Sequence, residues 1–69
     1  MKYELEKLRI NAGFSREYVS QKTFIDLMTL YQFEKHNSIP NIIDAQILAA
    51  FYNKNINQIN WNKKLKKGD

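Results

Sequence analysis

The sequence predicts a compact, all-α fold of five short helices. Its 69 residues suffice for one domain at most, and their apolar content of 43% is ordinary for a folded globular chain. Residues that favour helix N-termini recur at short intervals, each followed by a segment in which apolar side chains keep a helical spacing. The alternation typical of strands is almost absent, since the one β-branched and aromatic stretch, residues 22–25, lies between two helical segments.

The first two helices are predicted from apolar spacing and from the residues that end and begin them. Leu5, Leu8 and Ala12 fall on one face of a first helix. Gly13 follows at the position where helices commonly end in a left-handed residue. Ser15 is a suitable N-cap for a second helix, because its hydroxyl can accept a bond from a backbone N–H of the first turn.

Three further helices are predicted from boundaries of the same kind. Asp26 is expected to cap a third helix over residues 27–35. Pro40 disfavours helical geometry at the residue before it, so a new segment starts there and Asn41 is expected to cap a fourth helix. Asn55 is expected to cap a short fifth helix, which completes the fold.

The positive charge of the chain is concentrated at its C-terminus. The net charge is +4, from 11 basic and 7 acidic residues, yet residues 1–53 carry six of each. The excess comes from Lys54, Lys63, Lys64, Lys66 and Lys67, set against Asp69. We therefore divide the chain into a domain over residues 1–61 and a basic tail over residues 62–69. A basic tail on a neutral domain indicates binding to nucleic acid or to an anionic surface, and a solvated tail that aids solubility is the alternative.

The composition disfavours several classes of protein. The chain has no cysteine and one histidine, so we expect no disulfide framework, no metal site and no cofactor. It also lacks a glycine-rich phosphate loop and paired acidic residues, which argues against an enzyme and against a small-molecule substrate. No apolar run approaches the ~18 residues of a membrane span, and the N-terminal segment is too charged for a secretory signal. The sequence therefore predicts a soluble, cytoplasmic protein without a membrane partner.

The central stretch GFSREYVSQKTFIDLMTLYQFEK, residues 13–35, has the order helix, short turn, helix. It resembles the helix-turn-helix of the phage repressor and Cro-like family, also called the XRE family. The resemblance extends from Leu8-Arg9 to residues 56–59 and so covers roughly residues 3–60. It implies a lambda-repressor-like domain whose second helix crosses the DNA backbone and whose third helix enters the major groove. The implied function is that of a sequence-specific transcriptional regulator that binds double-stranded DNA.

The resemblance assigns roles to residues in and around the third helix. The base-contacting residues would be Leu27, Met28, Gln32 and Tyr31. Contacts to the DNA backbone would come from Arg16, Thr29, Lys35, Asn37 and Ser38. To these we add two lysines of the basic tail, Lys63 and Lys64. Arg9 and Glu34 match a pair that in this family often forms an internal ion pair between helices one and three.

Two departures from the family pattern bear on this interpretation. The glycine usual in the turn between the second and third helices is Phe24 here, and an aromatic residue at positive φ is strained, so either the turn differs or Phe24 fills a pocket. Leu27 and Met28 are apolar where base readers are usually polar. They can lie against thymine methyl groups, whereas Gln32 alone can make a bidentate bond, to adenine. The alternative function is therefore a degenerate helix-turn-helix that binds another regulator rather than DNA.

The fourth helix carries a second apolar stripe, which predicts a homodimer. Ile43, Ile47 and Phe51 lie almost opposite the stripe expected to face the core, and a monomer has no reason to expose them. We expect this face, with Trp61, to pack against a second copy, so that two recognition helices meet a near-palindromic site. The alternatives are that Trp61 and Leu65 fold back over the stripe within one chain, or that the tail forms the dimer interface.

Overall fold

The structure of the protein, a computed structural model, describes residues 2–62. Within them the chain forms four α-helices: α1 (Leu5–Asn11), α2 (Arg16–Thr23), α3 (Leu27–Glu34) and α4 (Ile42–Phe51). The predicted all-α class is confirmed for this part of the chain. The predictions made for Lys63, Lys64 and Leu65 lie outside the described residues.

The predicted fifth helix is a single turn of 3-10 helix, Ile56–Gln58, rather than an α-helix. The turn is short because Ile59 already has an extended backbone and pairs in parallel with Tyr3. Tyr3 donates its N–H to the carbonyl of Gln58 at 2.7 Å, and its own carbonyl accepts from the N–H of Asn60 at 2.8 Å. These two bonds join the start of the described chain to its end.

Three of the predicted caps are present. Ser15 accepts a hydrogen bond from a backbone N–H of α2 at 3.0 Å, and Asn41 does the same for α4 at 2.8 Å. Asp26 accepts one from α3 at 3.1 Å. Each bond satisfies a donor that a helix N-terminus otherwise leaves without an intrahelical partner.

A small core lies where the helices meet. Its buried members are apolar side chains from every helix, from the turn between α2 and α3, and from the extended segment that follows the 3-10 turn: Leu5, Val19, Ile25, Leu30, Phe33, Leu48, Ala49 and Ile59. Leu30 and Phe33 face this core from α3. Because the inward face of α3 is occupied by packing, its opposite face is directed to solvent, which positions the candidate site.

The turn between α2 and α3 contains a strained residue. Phe24 has φ 60° and ψ 21°, in the left-handed region, and its side chain is 93% exposed. Phe24 thus neither avoids the left-handed conformation nor fills a pocket, and both expectations for it were wrong. The ring lies in solvent, while the turn is closed by a bond from the Ser20 hydroxyl to the carbonyl of Ile25 at 2.6 Å. A left-handed conformation costs a residue with a Cβ about 1–2 kcal/mol.

Candidate nucleic-acid interface

The predicted base-facing residues lie on the exposed side of α3. Met28 is 62% exposed, and Leu27 and Tyr31 are exposed beside it. Gln32, one turn after Met28, is half-buried and directs its amide nitrogen to within 3.9 Å of the Met28 sulfur. The four residues therefore form one surface, although Gln32 is less accessible than the others.

A groove runs between the first turns of α2 and α3. Its volume is about 390 Å³, and it is lined by Arg16, Glu17, Asp26, Leu27, Met28 and Tyr31. Three of these are predicted base contacts and one, Arg16, is a predicted backbone contact. The groove thus combines an apolar wall from α3 with one cationic and two carboxylate side chains.

The ion pair expected between Arg9 and Glu34 is present and buried. The Nε of Arg9 donates to Oε2 of Glu34 at 2.8 Å, and the side chain of Glu34 is 2% exposed. A second nitrogen of Arg9 donates to the carbonyl of Phe14 at 3.0 Å, which ties the loop after α1 to the same cluster. The hydrogen bond that Arg9 donates to Glu34 raises the pKa of Arg9 above its ordinary value.

Glu34 also binds a second arginine, which the sequence analysis missed. The Nε of Arg16 donates to Oε1 of Glu34 at 2.9 Å. The assignment of Arg16 to the DNA backbone placed it at the surface, but its side chain is held by α3 and is 25% exposed. No sequence pattern links two residues on different helices and 18 positions apart, so only the packing of α2 on α3 reveals this bond.

Tyr31 lies between two cations. Its ring centroid is 5.1 Å from the guanidinium carbon of Arg16 and 5.9 Å from the Nζ of Lys35. Both distances are within the range of cation–π attraction. Lys35, a predicted backbone contact, also pairs with Glu6 of α1 at 3.3 Å. The side chains of Lys35 and Glu6 are 39% and 33% exposed, so the pair contributes about 0–1 kcal/mol. An incoming anion can therefore replace Glu6 as the partner of Lys35.

The other predicted backbone contacts flank the exposed face of α3. Thr29 is half-buried within α3, while Asn37 and Ser38 follow its C-terminus, the first exposed and the second half-buried. The N–H of Asn37 donates to the carbonyl of Gln32 at 2.9 Å, which fixes the path of this segment against the helix end.

A second polar cluster joins the end of α3 to both ends of the described chain. His36, at φ 61°, places one ring nitrogen against the carboxylate of Glu4 and the other 2.9 Å from the carbonyl of Asn62. The amide of Asn60 donates to the second carboxylate oxygen of Glu4 at 3.0 Å. This bond, and with it the one to His36, holds the pKa of Glu4 below its ordinary value against the opposing effect of burial.

The residues of the predicted dimer face differ in their exposure to solvent. Ile43 is 64% exposed and Ile47 is exposed beside it, as the prediction requires. Phe51 is partly buried and packs against the core, with its ring centroid 5.6 Å from that of Phe14. Trp61 also packs on the core, and its indole N–H donates to the carbonyl of Ile56 at 2.7 Å, so a role of Phe51 and Trp61 in a dimer stays a prediction.

Two further observations concern residues 2–62 alone. No group of three or more histidine, cysteine or acidic side chains lies close enough together there to hold a metal ion. None of the helices in the same range has both the length and the apolar character that crossing a membrane requires. Comparisons of the chain with protein-family models, with curated proteins and with solved structures found no match.

Proposed function

We propose that the protein is a sequence-specific, double-stranded DNA-binding regulator of transcription, with a lambda-repressor-like helix-turn-helix formed by α2 and α3. The observation that carries this proposal is the arrangement of these helices. Each has eight residues, and the three-residue turn between them contains a left-handed residue, Phe24. The inward side of α3 is anchored by Leu30 and Phe33, and its other side is presented to solvent.

The dimensions of α3 suit the major groove of B-form DNA. An α-helix with its side chains is about 10–12 Å across, and the major groove is about 12 Å wide. With α3 in that groove, Leu27 and Met28 would lie against thymine methyl groups, and Gln32 would bond adenine. Tyr31 would lie one helical turn after Leu27, beside Gln32.

Side chains around α3 would hold the sugar–phosphate backbone. Lys35 is available because its pair with Glu6 is weak, and Thr29, Asn37 and Ser38 offer hydroxyl and amide donors near the helix. Residues 2–62 carry seven basic and six acidic side chains, so their long-range attraction for DNA is small. Most of the non-specific affinity would come from the tail, where Lys63 and Lys64 belong to the four lysines after residue 62.

A pair of matched substitutions tests the role of α3. Met28 and Ile10 are 62% and 58% exposed on different helices, so Met28→Glu and Ile10→Glu add the same charge at equally accessible positions. We expect Met28→Glu to abolish binding to a duplex selected from a random pool, and Ile10→Glu to leave that binding unchanged. The parent should also lose affinity steeply as salt rises, because phosphate contacts release counterions. Equal effects of both substitutions would contradict the proposal.

We further propose that the regulator is a homodimer that pairs through the exposed isoleucines of α4. Ile43 and Ile47 stand one turn apart, and Asp44 is the helix's one charged residue, so two copies can face each other without opposing rows of like charge. A dimer would present two α3 helices about 34 Å apart, one turn of the duplex. Sedimentation at micromolar concentration should show a dimer for the parent and a monomer for Ile47→Asp, and a monomeric parent would refute this interface.

The alternative function is a protein-interaction module that binds another regulator. It is favoured by one observation, namely that α3 carries no basic residue and exposes Leu27 and Met28. Salt separates the two functions, because attraction between apolar surfaces does not weaken as counterions are added, whereas duplex binding does. Retention on heparin or random duplex that is insensitive to salt would favour the interaction module.

A further inference from the structure

The groove between α2 and α3 holds one arginine in a fixed position. Arg16 is bound through Nε to Glu34, a carboxylate that is almost completely buried, and its guanidinium lies 5.1 Å from the centre of the Tyr31 ring. An arginine on a solvated surface has neither restraint. Since its orientation is set by two partners on α3, little conformational freedom remains to be lost when it binds a ligand.

The guanidinium of Arg16 keeps a pair of donors for that ligand. The group is planar and carries five N–H donors, of which the bond to Glu34 uses the one on Nε. The two terminal nitrogens form an opposite edge with parallel N–H bonds, a fork that fits two adjacent acceptors. Charge supports this role, because Arg9 and Arg16 share the single carboxylate of Glu34 and the cluster therefore has a net charge of +1.

The other polar side chains of the groove indicate that its ligand is a base rather than a phosphate. Glu17 and Asp26 line the same groove as Arg16, and two carboxylates repel a phosphate group that enters it. A G·C pair in the major groove offers instead two acceptors on guanine, O6 and N7, and one donor on cytosine, N4. The groove thus contains both kinds of group that a G·C pair requires, namely N–H donors for guanine and carboxylate acceptors for cytosine.

We propose that Arg16 is a specificity-determining residue that binds O6 and N7 of a guanine, with the groove carboxylates accepting from the paired cytosine. The inference rests on the proposed DNA-binding function and replaces the expected backbone contact of Arg16 with a base contact. It also locates the reading of G·C on α2, next to the residues of α3 that contact thymine methyl groups.

Selection from a random duplex pool tests the proposal with Arg16→Lys. Lysine keeps the charge and the ability to pair with Glu34 but lacks the two-pronged edge. The parent should select a site with one fixed G·C pair, and Arg16→Lys should lose that preference by about 5- to 150-fold while its affinity for random duplex stays within about twofold. The matched control is Lys22→Gln, which removes a cation of α2 that lies over Tyr18 and outside the groove, and should leave the preference intact.

A modified base gives a test that does not depend on how a variant folds. In 7-deazaguanine the N7 acceptor is replaced by carbon, while pairing with cytosine is retained. The parent should bind the selected duplex several-fold more weakly when its fixed guanine carries this change. Arg16→Lys should discriminate less between the modified and unmodified duplexes, because its ammonium group, when paired with Glu34, lacks the planar fork that spans O6 and N7.

The outcomes separate this inference from the proposed function. A parent that binds duplex but selects no guanine, or that tolerates 7-deazaguanine, overturns the role of Arg16 and leaves DNA binding in place. Equal losses by Arg16→Lys on selected and random duplex would identify a phosphate contact and also overturn it. A parent without salt-sensitive duplex binding would refute the proposed function itself.

Discussion

The buried cluster around Glu34 gives the sharpest prediction for stability. Glu34 accepts one N–H from Arg9 at 2.8 Å and one from Arg16 at 2.9 Å, each on a different carboxylate oxygen. In Glu34→Gln one of these oxygens becomes an NH₂ group, so a donor faces an arginine donor. The substitution also removes the negative charge that compensates two positive ones.

The size of the effect follows from burial. Removal of one partner from a buried ion pair costs about 3–5 kcal/mol, because it leaves an uncompensated charge. The side chains of Arg9 and Glu34 are 11% and 2% exposed, so this range applies to them. A domain of 69 residues has a total free energy of unfolding of roughly 3–10 kcal/mol. We therefore expect Glu34→Gln to lower the melting temperature by more than about ten degrees, or to prevent folding, since each kcal/mol shifts it by about 4–8 °C.

Thermal unfolding followed by circular dichroism measures this loss. The matched control is Glu17→Gln, which makes the same change at an exposed position of α2 and should shift the melting temperature by no more than about four degrees. The loss in Glu34→Gln should persist at high salt, because a buried pair is poorly screened. If Glu34→Gln melts within about two degrees of the parent, the cluster does not stabilise the fold and this reasoning is refuted.

Four further predictions concern single positions. Phe24→Gly should raise the free energy of unfolding, measured in urea, by about 1 kcal/mol, because it relieves a left-handed conformation and removes a solvent-exposed ring. A lower free energy of unfolding would show that the ring makes a stabilising contact. Gln32→Ala should cost about 1–3 kcal/mol on the selected duplex and relax one base pair, and an equal loss on random duplex would contradict base reading. The pKa of Glu4 is lowered in the folded protein, so the Glu4 carboxylate stabilises the fold above its ordinary pKa of 4.5, and this stabilisation is lost as the pH falls through the folded pKa. The difference in stability between the parent and Glu4→Gln should therefore shrink in acid. A difference that stays constant with pH would contradict this prediction. Burial, with a smaller contribution from Glu34, raises the pKa of Tyr52 to about 12. The parent should therefore lose stability between pH 10 and 12 relative to Tyr52→Phe, because the unfolded chain releases the tyrosine proton first. Parallel stability profiles of the two proteins over this pH range would refute the prediction.

Much of the local structure was determined by the sequence alone. The helix starts at Ser15, Asp26 and Asn41 were predicted because a capping bond joins residues two or three positions apart, so it depends on neighbouring residues rather than on distant ones. The exposed position of Leu27 and Met28 on α3 was implied by the family resemblance, and both side chains are exposed in the structure. The pair between Arg9 and Glu34 was implied by family resemblance and needed no knowledge of the packing.

The features that the sequence did not determine all depend on distances between separate elements. The packing of α4 and of the 3-10 turn decides whether Phe51 and Trp61 cover the core or face outward. Both side chains pack against the core of their own chain. The bond from Arg16 to Glu34 and the contact of His36 with Glu4 join residues 18 and 32 positions apart. Such contacts exist only after all the helices have docked together, because each helix is placed by the packing of the others. Periodicity and capping fix the faces of individual helices, but the tertiary structure alone decides which polar groups meet between them.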